Sequence, residues 1–313
     1  MKKVLLILMC CMAIQSVHAQ DTPKWADKAK KAVFSIVTYD KENKIKNTGN
    51  GFYIDNNGTA LSDYSLFEDA ERAVIINADG KELPVTRIAG ANSMYDVIKF
   101  RTETEKKITA LKVATQPAAV GETVYLLPYS TQKAATCQTG KVTQVDTIAD
   151  KAYYYTLTMT TSDKTVSCPI MNANGEVLGL IQKSASEEDK ESYAIGASYG
   201  ESLSISPLSA NDINLNKIGI AKALPETEDQ ALVYLYMSSS QMDAKNYLAT
   251  LNDFLQAYPN STEGYTRRAG YYMNIGDDEH NALAEADLKK AMDVSGNKTE
   301  GQYNVAKIIY SYC

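Results

Sequence analysis

The sequence predicts a two-part protein: an all-β module of barrels or sandwiches, followed by packed helical hairpins. Three observations lead there. Short runs rich in β-branched and aromatic residues fill the stretch from Ala32 to Ser198. Turn signals such as Asn57-Gly58, Asp79-Gly80 and Asn174-Gly175 separate them. Beyond Ser206-Pro207 the apolar residues recur at three and four instead. The expected divisions are a signal peptide over 1–19, the β module over 20–212, a linker over 213–225 and the helical part over 226–313.

The first segment, MKKVLLILMCCMAIQSVHAQ, has the three parts of a secretory signal: Lys2 and Lys3, the apolar run Val4 to Ile14, and the cleavage site Val17-His18-Ala19. A lipid anchor on Cys10 or Cys11 is not expected, because neither follows a small residue. The mature chain is expected in the periplasm or outside the cell. No stretch is long and apolar enough to span a bilayer. Removing Lys2 and Lys3 takes the formal charge from −6 to −8, and no basic run remains to attract nucleic acid.

Of five cysteines, Cys137, Cys168 and Cys313 survive cleavage. No Cys/His cluster supports a metal site, and no cofactor is expected. A Cys137–Cys168 disulfide is one reading in an oxidising compartment. Two small buried apolar side chains is the plainer one.

The β runs read in order are AVFSIVTY (Ala32–Tyr39), ERAVIINA (Glu71–Ala78), ETVYLLPY (Glu122–Tyr129), YYYTLTM (Tyr153–Met159) and EVLGLIQ (Glu176–Gln182). No strong helical stretch intervenes, which argues against an α/β fold. In the helical part, Ala231, Leu232, Leu235 and Tyr236 mark one helix, and Tyr247, Leu248, Leu251, Phe254 and Leu255 the next. Pro259-Asn260-Ser261 breaks the chain and offers a cap. Gly264–Asn274 and Asn281–Val294 form a second pair around Gly276-Asp277-Asp278, and Gly301–Tyr312 begins a third.

These pairs resemble tetratricopeptide repeats. Tyr265 and Tyr272 lie seven apart, and Tyr303 and Tyr310 repeat that spacing 38 residues later. Ala284, Leu288 and Ala291 match the small–large–small pattern of a second helix. The family period is about 34, so one turn here is longer; a plain helical hairpin bundle is the alternative. The resemblance implies a partner-binding surface bearing Tyr265, Arg268, Tyr272 and Tyr303. The last helix lacks a polar cap, so its apolar side is expected to pack on the preceding pair, to meet another chain, or to continue into a longer array.

The β half resembles trypsin-like serine proteases, especially the bacterial HtrA/Deg type, from about Lys31 to Ser198. Gly49-Asn50-Gly51-Phe52 resembles the GSGF entry to the first barrel, and Gly58 to Phe67 the segment that delivers the catalytic histidine. Asp79-Gly80 looks like a DG hairpin. Tyr95 to Phe100 is similar to the strand bearing the catalytic aspartate, and Val166 to Leu180 to the nucleophile segment. Tyr193-Ala194-Ile195-Gly196 stands where FAIP is common. The resemblance implies a double β-barrel. It places the aspartate on Asp96, the histidine on Ser65 (or Tyr64 with a one-residue slip) and the nucleophile on Val166.

Two of the three triad positions have thus changed chemical type. Composition tests this without an alignment. His18 leaves with the signal and His280 belongs to the helical part, so the β half holds no imidazole to carry a proton near neutral pH. Valine offers no nucleophilic atom. Ser167 or Cys168 is the fallback nucleophile, with Lys164 or Lys183 as the only nearby help. Asp96 then reads as a buried acceptor for N–H groups or a hydroxyl such as that of Ser65. The expected function is protein or peptide binding by an inactive protease homologue joined to a repeat scaffold. The alternative is an active serine or cysteine endopeptidase with a rearranged nucleophile.

Overall fold

The computed structural model describes residues 22–104, 108–149, 152–182 and 190–312. The expected signal peptide, Lys183 and Cys313 lie outside the described residues. Six strands close a first barrel: β1 (Val33–Tyr39), β2 (Ile45–Tyr53), β3 (Thr59–Ser62), β4 (Arg72–Ile76), β5 (Glu82–Asn92) and β6 (Val97–Thr102). Six more close a second: β7 (Thr123–Leu126), β8 (Gln138–Ala149), β9 (Ala152–Leu157), β10 (Pro169–Met171), β11 (Val177–Ile181) and β12 (Ser192–Gly196). Around the first the order is β1-β2-β3-β6-β5-β4, and the second repeats that connectivity. Closure leaves neither sheet a free edge.

Each of the five β runs read from the sequence contributes a strand. Alternation sets the faces: Phe34 and Ile36 of β1 point inward with Ile75 of β4, Ile88 of β5 and Phe100 of β6. In β2, Gly51 is required by close approach. A Cβ there would lie 2.7 Å from the Phe34 ring and 2.8 Å from the Leu61 carbonyl oxygen. The barrels also share apolar contact, since Phe52, Leu61 and Val97 of the first pack into the cluster built on the second. A short N-terminal helix, α1 (Ala26–Ala29), ties down on the second barrel. There Asp27 accepts from the Ala135 N–H at 2.8 Å, and the Trp25 indole N–H donates to the Ala173 carbonyl at 3.0 Å.

After β12 come α2 (Ala197–Ser202) and α3 (Ile213–Asn216). The stretch expected as a linker, 213–225, is built into the first barrel. Leu215, Ile218, Ile220 and Ala223 are buried in its core. The Ile88 N–H donates to the Ala221 carbonyl at 2.8 Å, and the Ala223 N–H returns a bond to Ile88 at 2.7 Å. Those four residues, three, two and three apart, turn inward, and a single parallel bridge joins Ile88 to Lys222, so the stretch is a strap and not a loose tether.

The helical part comprises α4 (Glu228–Ser238), α5 (Ala244–Ala257), α6 (Thr262–Ile275), α7 (Asp278–Val294) and α8 (Lys298–Tyr312). Side-chain caps start the first four: Thr227, Asp243, Ser261 and Asp277 each accept an N–H of the first turn, of which only the Ser261 cap was expected from the sequence. Gly276, at φ +75°, stops α6 in the left-handed conformation that glycine reaches without strain. Tyr234 of α4 is buried in the core of the first barrel, and Arg87 of β5 pairs with Asp253 of α5 at 2.5 Å.

Candidate functional site

The segments that the sequence singled out meet between the two barrels. Asp63 directly follows β3, and Ser65 lies in the 3₁₀ turn Tyr64–Leu66 after it. Asp96 immediately precedes β6, and the tight turn 162–168 leads into β10. The Ser65 N–H donates to Asp96 Oδ1 at 2.7 Å and the Ser65 hydroxyl to Asp96 Oδ2 at 3.0 Å. Both carboxylate oxygens are thereby occupied. The expected acceptor role fits this contact in its partner but not in its depth, because Asp96 is only half-buried and Ser65 is exposed.

The 162–168 turn is closed on itself. The Val166 N–H donates to the Ser162 carbonyl at 3.1 Å, and the Thr165 N–H to the same oxygen at 2.8 Å. Asn50, beside Gly51 in β2, sends its amide N–H groups to the carbonyls of Lys164 at 3.1 Å and Val166 at 2.9 Å. The Ser62 hydroxyl in turn donates to the Asn50 carbonyl at 2.6 Å. Acyl transfer needs N–H donors aimed at the oxygen on which charge develops. Here the Val166 N–H is already spent within the turn, and what faces Asn50 is carbonyl oxygen.

The fallback nucleophiles are both sealed. Ser167 and Cys168 are each fully buried. Burial pushes the Cys168 thiol up to about 12, with the Asp63 charge adding to it and a backbone bond at Tyr129 opposing. Cys137 is pushed up to about 11, again mainly by burial. A thiol at either value holds almost no thiolate near neutral pH. Both are free, so the Cys137–Cys168 disulfide considered from the sequence is not formed. Lys164, the cation expected to help, is exposed.

Sequence reasoning missed Asp63. It is 2% exposed, and neither Asp63 Oδ1 nor the Ser167 hydroxyl beside it has a hydrogen-bond partner. Burial raises the Asp63 carboxyl well above the usual range, the Asp96 charge raises it further, and the nearby Ser167 hydroxyl lowers it somewhat. Ser167 also carries φ +64° and Asp96 φ +48°, left-handed conformations that are uncommon outside glycine. One signal was available: Asp63 is the only charge in the otherwise apolar and small run Thr59 to Phe67.

A second candidate surface lies on the helices. A groove of 740 Å³ is lined by α4, α5, α6 and α8, with Tyr236, Tyr247, Arg267, Tyr271 and Lys307 among its walls. The residues expected there are placed differently. Arg268 turns to α7, with Nε 2.7 Å from Asp287 Oδ2 and Nη2 2.7 Å from Oδ1. Tyr265 and Tyr272 flank that guanidinium at 5.9 and 6.0 Å, and Tyr303 is exposed but does not line the groove. The seven-residue tyrosine spacing therefore marks the face of α6 that packs on α7. The groove face begins one residue earlier, at Arg267 and Tyr271. His280 opens α7, where its ring Nδ1 lies 2.7 Å from Asp277.

Among the described residues no group of three His, Cys, Asp or Glu side chains is placed to hold a metal ion. No helix among them is long and apolar enough to cross a membrane. Residues 49–180 match the family model described as "Trypsin-like peptidase domain", a span from β2 of the first barrel to β11 of the second. A search of the curated proteins finds no match.

Proposed function

We infer an exported binding protein: a catalytically silent peptidase module, whose residues 49–180 match a trypsin-like peptidase domain, joined to a tetratricopeptide-like scaffold and holding protein or peptide partners. The observation that carries the reading is the Ser65–Asp96 contact, a hydroxyl and a carboxylate where hydrolysis needs an imidazole and a carboxylate. The self-bonded Val166 N–H and the thiol of Cys168 held near 12 support it from the nucleophile side. Losing a working triad forfeits on the order of 8 kcal/mol of barrier lowering, enough to remove useful turnover.

The binding half of the reading rests on the groove between α4, α6 and α8, whose tyrosines and Arg267 are residue types favoured at protein interfaces. The strap at 213–225 and the Arg87–Asp253 pair join that groove to the first barrel.

A fluorophosphonate probe and a thiol-reactive probe, applied to the purified chain beside a peptide library, test the reading. Neither probe should label Ser167 or Cys168, and no peptide should be cut. Stoichiometric labelling of Ser167 or Cys168, with cleavage lost on alanine replacement of that residue, would establish the endopeptidase alternative instead.

A further inference from the structure

A 910 Å³ cleft opens between the first barrel, the strap and the start of the helical part, and neither Ser65, Asp96 nor the 162–168 turn borders it. Its size falls in the range of small-molecule sites. Its walls are mixed: one comes from the barrel turns around Asp40 and Glu71, one from the strap residues 216–222, and one from α4 and α5.

Two opposite charges meet at the strap. Lys222 Nζ donates to the Ile218 carbonyl and, at 2.9 Å, to the Ile220 carbonyl, which leaves one of its three N–H groups over. Glu71 packs against the same segment: its Oε2 lies 2.4 Å from where a Cβ on Gly219 would stand, so glycine is what admits it. The Gly219 N–H fixes that approach by donating to Ala70 at 2.8 Å. Burial lowers the Lys222 ammonium to about 8 and the Glu71 charge opposes that shift, yet among the described residues the two form no ion pair. The third feature is on α4. Ser238, 1% exposed in the wall of the same cleft, has its hydroxyl near that of Tyr234.

A half-buried ammonium with a spare donor, beside an exposed carboxylate of opposite charge on the same cleft, matches one ligand chemistry. We propose that this cleft binds a small zwitterion, an amino acid or a short peptide, its carboxylate on Lys222 and its ammonium on Glu71. The ligand bridges two charges that the fold holds near each other but apart. Because the site joins the barrel to α4, occupancy braces the junction between the two halves.

Calorimetric titration of the full chain tests this with alanyl-alanine and free alanine, which separate the two sources of the same chemistry. Acetate, methylammonium and N-acetylalanine methylamide are the controls. A zwitterion should bind, the single-charge controls at least about ten-fold more weakly, and the uncharged amide not at all. Glu71→Gln and Lys222→Met should each weaken binding by about ten-fold or more, and Ser238→Ala by less. Glu71 is exposed and makes no side-chain hydrogen bond in the described structure, so its variant keeps the test valid if Lys222→Met does not fold. No heat from either zwitterion at roughly 10 mM, equal binding of the uncharged amide, or full affinity in Glu71→Gln would overturn the proposal.

Discussion

Two aspartates stand on the first barrel's side of the junction between the barrels, and their surroundings are opposite. Asp96 is half-buried, and Ser65 gives an N–H or O–H to each of its oxygens. Asp63, two residues before Ser65, is sealed, and its Oδ1 has no hydrogen-bond partner. The contrast shows that burial alone does not decide whether a carboxylate is stabilised: its partners do. The first is a satisfied acceptor that pins a turn. The second is a cost that the surrounding cores must offset.

Replacing Asp96 should produce the largest effect. Asp96→Ala removes two charge-assisted bonds to the Ser65 turn and should destabilise the chain by about 2 kcal/mol in denaturant unfolding. An unchanged midpoint would mean that the contact contributes nothing.

The change at Asp63 should run the other way and depend on pH. Its folded-state pKa is raised, so the native state holds a proton that the unfolded chain releases in the ordinary carboxylate range, near 4. The stability that this proton gives is present below that range and is lost as pH rises toward the folded value. Asp63→Asn carries no such loss. It should melt several degrees higher than the parent at pH 8, with the gap closing toward about pH 4. A gap that does not vary with pH would sink the assignment. Asp96→Asn sharpens the point, because removing the Asp96 charge should lower the Asp63 pKa and shift the parent's pH dependence downward.

Ser167→Gly should stabilise by about 1 kcal/mol. It relieves a left-handed serine and deletes an orphaned hydroxyl, against the extra freedom that glycine brings to the unfolded chain. The smallest change is expected from Ser65→Ala, which loses the hydroxyl bond but keeps the N–H, at about 0.5–1 kcal/mol.

Much of the meeting place between the barrels was legible in the chain beforehand. The segments holding Ser65, Asp96 and Val166 were located by their landmarks, and the pairing of Ser65 with Asp96 followed once no imidazole could occupy the space between. Asn50 was read only as part of a glycine-flanked entry to a barrel, although it holds the carbonyls of the opposite turn from more than a hundred residues away. Nothing local to Gly49-Asn50-Gly51 encodes that reach. On α6 the periodicity identified a helix but not which of its faces packs. Tyr265 and Tyr272 share a stripe, and only the position of α7 makes that stripe the packed one.

The sequence by itself determined the change of regime near residue 206, the strand and helix signals on either side, and the lack of a proton carrier in the β half. Those are properties of local spacing and composition, which a linear chain displays directly. Only the tertiary structure decided that 213–225 is a strap on the first barrel, that Asp63 is sealed beside Ser167, and that Lys222 and Glu71 face one cleft. Each depends on which distant segments exclude water from a given atom, and that is settled when the barrels close and the helices dock.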